Sequence, residues 1–263
     1  MSTNDLIWTN SSKINDWLDC INDALDVHQE LFAVSDTETT SQNLMEDNAR
    51  GELLRHRMVE IAICFYYFDK KEKVMKKLSD SDGDHIVFHE PINFFAEPKE
   101  VRERFSSVSR IPSSSTEVHG LTEKYLFAEE SSPKGRPKLK SAALTFSEIA
   151  PVMLRLFQVD NAFEKGLPIY TVFHNAPFDT RFLNSEMRVA GLPYLESYTL
   201  ILDTLKEAKE LLPGLPSYTL DALYEHVLEV SGKQRIERPF HDARTDSEIL
   251  AELLGYLLTI SGK

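Results

Sequence analysis

Three short segments of this 263-residue chain hold residue types that could do chemistry together. Asp36-Thr37-Glu38-Thr39-Thr40 sets two carboxylates two residues apart behind the apolar run Leu31–Val34. In a strand, that spacing turns both to the same side. His174-Asn175-Ala176-Pro177-Phe178-Asp179 puts a carboxylate in the first turn of an expected helix, with proline where its missing N–H costs least. His241-Asp242-Ala243-Arg244-Thr245-Asp246 places a histidine about a turn from a further carboxylate at another helix start. Gathered carboxylates repel one another unless cations neutralise them. Mg²⁺ and Mn²⁺ prefer such hard oxygen ligands. Two such ions about 4 Å apart activate a water and stabilise the leaving oxygen of a phosphodiester. A histidine beside that water takes its proton near neutral pH. Each segment alone is weak, since a lone Asp-x-Glu is usually a solvated pair and the other two read equally as capped helix starts. Their joint occurrence carries the inference.

The elements that must position them follow from hydrophobic periodicity. Ser11–His28 carries Ile14, Trp17, Leu18, Ile21 and Leu25 at helical spacing behind a Ser-Ser start. Leu31–Val34 reads as a buried strand delivering Asp36 at its end. Ser41–Arg57 is polar and predicts a loop with a helical piece. Met58–Phe68 and His85–Ile92 predict two more strands, antiparallel because the connections are short. Ser106–Ser115 and Glu129–Lys140 read as loops around Thr116–Thr122, a turn leading into a short helix. Helical spacing returns over Ala142–Phe157. Beyond it the chain alternates: strand Leu167–Phe173, helix Pro177–Ala190, strand Tyr198–Leu202, then helices near Leu205–Leu212, Ser217–Val230 and Ala243–Leu258. The pattern predicts one α/β domain on a mixed sheet of five strands flanked by helices. In open sheets of this kind, sites gather beyond the C-terminal strand ends, where Asp36 and His174 fall.

Composition bounds the partners without choosing among them. A net charge of −13 argues against a broad basic face for nucleic acid. It leaves room for phosphates met through bound divalent ions, which invert the local charge. No run of about 18 apolar residues predicts a membrane span. No basic stretch followed by an apolar one opens the chain, so no secretory signal is expected. Two cysteines without a CxxC pair exclude a disulfide framework and fit a reducing cytoplasm.

The segments VSDTETT, HRMVEIAIC, STEVHGLTEKYL, TFSEIAPVML, VFHNAPFDTRFL, ILDTLKEAKELLPGLPSYTLDAL and FHDARTDSEILAELL cover most of Leu31–Leu258. In that order they resemble the DEDDh, or DnaQ-like, exonucleases of the ribonuclease H-like superfamily, and especially the proofreading branch found with bacterial replicative polymerases. The resemblance implies a ribonuclease H-like fold and a 3′–5′ exonuclease acting on single-stranded 3′ ends, DNA placed ahead of RNA. It implies two divalent ions, Mg²⁺ or Mn²⁺, held by Asp36, Glu38, Asp179 and Asp246, with His241 as general base. Thr37, Thr39 and His119 would cradle the terminal nucleotide, and Asn175 would help position the strand near Asp179. Asp203 and His174 read as structural.

The chain also departs from that pattern. Residues 1–30 precede the first strand and predict a helical extension ahead of an exonuclease domain over 31–263, packed on it or reaching for a partner. Pro133–Lys140 is basic in an acidic protein, either a solvated loop or a contact to phosphates. Little more than a helix follows Asp246, whereas proofreading subunits carry a polymerase-binding tail there; a polymerase partner is therefore expected less than the chemistry. The remaining alternatives are an RNA exonuclease, as in ribonuclease T-like relatives, and a catalytically dead nucleic-acid-binding module.

Overall fold

A computed structural model describes residues 11–79, 87–136, 138–157, 166–238 and 240–262, with the side chains of 11–13 and 87–89 left aside. Helix α1 (Ser11–His28) leads into β1 (Leu31–Thr39), the strand on which the sheet is built. One neighbour is β4 (Met58–Asp69), antiparallel, and the other is β7 (Ile169–Phe173), parallel, which pairs in turn with parallel β8 (Leu200–Asp203). The outer side of β4 is shared by two short strands. β5 (Val74–Lys77) takes residues 66–69 and β6 (Val87–Pro91) takes residues 60–64. The five expected strands are present, β5 is additional, and the start of the expected His85–Ile92 strand lies outside the described residues.

Alternation along β1 sorts its side chains onto two cores. Leu31 and Ala33 face α1, α5 (Phe146–Phe157) and α6 (Ala176–Val189). Phe32 and Val34 face α8 (Leu220–Ser231) and α9 (Ala243–Ser261). Ile14, Trp17, Ile21 and Leu25 bury one face of α1 in the first core, so the segment ahead of β1 packs on the domain over residues 11–28. At about 25 cal/mol per Å² of apolar area, four such side chains far outweigh what an isolated helix of this length supplies for itself. Helix α7 (Thr204–Leu211) begins on Asp203, whose carboxylate accepts the Leu205 amide at 3.0 Å. Among the described residues no helix is long and apolar enough to cross a membrane.

Two expectations for the connections are corrected. Ser41–Arg57 carries a hairpin and no helix: β2 (Met45–Asp47) pairs with β3 (Leu53–Arg55). The turn is closed by the Asn48 side chain, which accepts the Arg50 and Glu52 amides, and by Gly51 at φ +73°. Three-residue strands are too short to show an alternation. The Ser-rich stretch before Gly120 likewise contains a helix, α3 (Ser113–His119), started by Pro112 and stopped by Gly120. Gly120 sits at φ +74°, and a Cβ there would meet the Lys134 Cβ at 2.6 Å, so only glycine lets the 129–136 loop close over this turn. The short helix expected after it is α4 (Glu123–Leu126), and α2 (Lys99–Arg104) was not foreseen.

Candidate metal and nuclease site

The three chemistry-bearing segments converge at the C-terminal end of β1. Asp36 and Glu38 lie on the same face as Phe32 and Val34, the face covered by α9, whose first turn carries Asp246. Asp179 arrives from the opposite side, in the first turn of α6. Thr37, pointing to that side, ties it in: its hydroxyl donates to Asp179 Oδ1 at 2.7 Å. The strand end is therefore a seam where the two layers deliver acidic groups to one place.

Donor atoms of Glu38, His241 and Asp246 lie within 4.8 Å of one another, close enough to share a metal ion. His241 Nδ1 is 3.2 Å from Asp246 Oδ2, and the imidazole is otherwise half exposed. Burial pushes the Asp36 carboxyl well up, and the charges of Asp246, Asp179 and Glu38 push it further. Glu38 is raised in the same way, by burial first and then by Glu60 and Asp246. Burial pushes Asp179 up to about 7, against the opposing pull of the Thr37 hydroxyl. One buried oxygen, Glu38 Oε1, accepts no hydrogen bond. A buried carboxylate oxygen normally finds a donor. An acidic cluster that strains to ionise and keeps an unbonded oxygen fits a hard divalent cation.

The sign of this strain predicts a pH effect. In the unfolded chain these carboxyls titrate near 4. Raised in the folded state, they contribute stability that is complete below that value and is lost as pH rises through the folded values, about 7 for Asp179. The buried histidines, His119 among them, are depressed and act oppositely below about 6.5. The clean window is therefore pH 7 to 8. In chelator the urea midpoint is expected to fall across it, less steeply in Asp179→Asn, and to recover with Mn²⁺. A midpoint that holds or rises would refute the account.

The remaining expected residues are held by the fold. The Thr39 hydroxyl donates to the Ser41 carbonyl at 2.7 Å. Burial pushes His119 down to about 4; it is 1% exposed, its Nδ1 accepts the Leu121 amide at 3.1 Å, and its Nε2 is left without a well-formed bond. Asn175 is exposed and left-handed at φ +67°, a conformation that costs a non-glycine residue energy and clusters at functional sites. Asp203 holds it there by accepting its amide at 3.0 Å. His174 bonds Thr204 Oγ1 and the Tyr218 carbonyl, a structural role.

Three further residues were missed. Glu60 stands directly across the sheet from Glu38 and accepts the Ala243 amide at 3.1 Å, at the start of α9. Arg136 pairs with Glu60. Arg238 bridges Asp246 Oδ1 at 2.6 Å and Asp221 Oδ1 at 2.5 Å. Two had a sequence signal: Glu60 is a glutamate inside the apolar run Met58–Phe68, where unpaired acids are almost never buried, and Arg136 lies in the basic segment 133–140.

No family model matches the chain. It is 30% identical over 224 residues to the DNA polymerase III subunit epsilon of Rickettsia prowazekii, 84% of this chain and 70% of that protein. It is 32% identical over 154 residues to the same subunit of Buchnera aphidicola from Acyrthosiphon pisum, 58% of this chain but only 52% of the relative. The chain thus spans about half the length of one such relative and 70% of another. Among solved structures it resembles cell-death related nuclease 4, with a TM-score of 0.53 at 16% identity over 88% of this chain and 63% of the other. It also resembles the RNase domain of the yeast Pop2 protein, with 0.51 at 13% over 95% and 84%. Both likenesses bear on the fold alone, which is the expected ribonuclease H-like α/β arrangement. With acidic segments and sheet order in place, the sequence match decides the family: the chain belongs to the DnaQ-like DNA polymerase III epsilon-subunit family.

Proposed function

We propose that the protein is a 3′–5′ exonuclease that hydrolyses the terminal phosphodiester of a single-stranded DNA 3′ end and releases a nucleoside monophosphate. The observation that carries this reading is the meeting of Asp36, Glu38, Asp179 and Asp246 at one strand end, with His241 3.2 Å from Asp246. The four carboxylates are assigned to two divalent ions, Mg²⁺ or Mn²⁺. When bound, these ions lower the pKa of the attacking water and stabilise the leaving 3′ oxygen. With Nδ1 donating to Asp246, the His241 Nε2 carries the free lone pair and takes the water's proton. Thr37 fixes the Asp179 carboxylate. Thr39 at the β1 end, Asn175 at the α6 start and His119 at the end of α3 are assigned to the terminal nucleotide.

DNA is chosen over RNA because the sequence relatives are named for a DNA polymerase. Discrimination would require contacts to the 2′-hydroxyl. The site residues support the chemistry; the polymerase partnership of the relatives is a separate matter of surfaces.

The test is digestion of 5′-labelled single-stranded DNA and RNA of matched sequence with Mg²⁺ or Mn²⁺. A ladder shortening from the 3′ end of DNA is expected, absent with Asp179→Ala and abolished by EDTA. A ladder that survives chelation refutes the metal mechanism. One confined to RNA moves the enzyme to the ribonuclease branch, and no ladder on either leaves the binding-module alternative.

A further inference from the structure

The basic segment 133–140 reads from sequence as a solvated loop or a contact to phosphates, and one of its cations does neither. Arg136 is 5% exposed and turned into the protein. Its Nη1 and Nη2 donate to Glu60 Oε1 and Oε2 at 2.5 and 3.2 Å, and Nη2 also donates to the His241 carbonyl at 3.1 Å. The guanidinium lies 5.0 Å from the centroid of the Phe240 ring. Glu60 in turn accepts the Ala243 amide. One buried ion pair therefore grips both ends of the three residues His241–Ala243, the carbonyl through Arg136 and the amide through Glu60. Lys138, by contrast, donates to the Glu129 carbonyl at an exposed position.

Electrostatics gives the pair a second task. Glu60 is completely buried and in register with Glu38 on the neighbouring strand. Like charges directly opposite in a sheet repel. An unpaired Glu60 would add another negative charge to a site that already gathers four carboxylates. Arg136 offsets it without touching them, and it opposes the upward push on Glu38.

We propose that Arg136 is a positioning residue. It locks the backbone of His241 through a fork shared with Glu60, and it keeps the Glu60 charge from competing with Glu38. This deepens the nuclease reading and rests on it for its kinetic consequence. Lysine keeps the charge but loses the planar fork that holds two partners at once.

The test compares Arg136→Lys, Arg136→Gln and the double variant Glu60→Gln/Arg136→Met in the full chain. Removing Arg136 alone strands a buried carboxylate and can prevent folding, whereas the double variant removes both charges of the pair. Steady-state cleavage of a 5′-labelled oligonucleotide is read beside amide hydrogen exchange of the substrate-free protein. In Arg136→Lys, kcat is expected to fall roughly 10- to 100-fold with KM unchanged, the size found when groups supporting a metal site are altered. Exchange should quicken over residues 241–246 and stay as it was in β1 and β4, and the double variant should behave alike. Wild-type kcat in Arg136→Lys overturns the proposal. So does a raised KM at constant kcat, the mark of a strand contact, and so does unchanged exchange over 241–246. If the parent protein cleaves nothing but exchange responds as described, the backbone clamp stands and the nuclease reading fails.

Discussion

His241→Ala is expected to lower kcat by about 10²- to 10⁴-fold, the usual contribution of a positioned general base, and to leave Mn²⁺ affinity nearly unchanged. Two features set this expectation. The imidazole is half exposed at the mouth of the site, and its link to the acidic cluster is a single contact from Nδ1 to Asp246 Oδ2. Asp246 does not depend on it, because Arg238 holds the other oxygen at 2.6 Å. The rival assignment is that His241 is itself a ligand, since its donor atoms lie within 4.8 Å of those of Glu38 and Asp246. Turnover and a Mn²⁺ binding isotherm on the same preparation separate the two. A collapse of both makes His241 a ligand, and near-normal turnover removes it from the chemistry.

Glu186→Ala should unfold more of the protein than any substitution at the acidic site. Arg55 and Arg57 are 1% and 0% exposed, and Glu186 accepts from both. Arg57 also takes Glu97 through two bonds at 3.0 and 2.9 Å and lies under the Phe94 ring. Burial alone would push the Glu186 carboxyl up, but the two guanidiniums reverse that and hold it below its ordinary value. Burial likewise lowers Arg55, with Glu186 as its main counterweight. Removing one partner from a buried ion network leaves uncompensated charge and costs about 3–5 kcal/mol. For a chain of this size that is roughly 10 °C in the thermal midpoint. Urea denaturation measures it. A loss under about 1 kcal/mol would mean that water reaches the arginines once the carboxylate is gone.

The network also explains what was legible in the sequence. That Asp36, Glu38, Asp179, His241 and Asp246 would come together could be read because each lies in a short segment whose local period places it at a strand or helix edge. The long elements were legible for the same reason: α1 matches its expected span at both ends, and α9 begins at the expected Ala243. Helix α8 starts at Leu220, later than expected, because the Thr219 hydroxyl caps it by accepting the Ala222 amide. What supports the site was not legible. Arg136 reaches Glu60 across 76 positions and Arg57 reaches Glu186 across 129, and no local pattern announces a partner that far away. A basic loop and a buried arginine look alike until the fold brings the carboxylate to one of them.

The two margins of the sheet share a further property. On one side β8 offers four residues; on the other the flank of β4 is divided between β5 and β6. An uninterrupted exposed strand is a template on which another chain can add its own backbone. Here β8 is too short to register an intruder. β5 carries Lys76 and Lys77, paired with Asp69 and Glu248, and a stacked copy would have to take these charges out of water. The architecture that concentrates acid at the centre of the sheet thus keeps its borders poor ground for fibrous association.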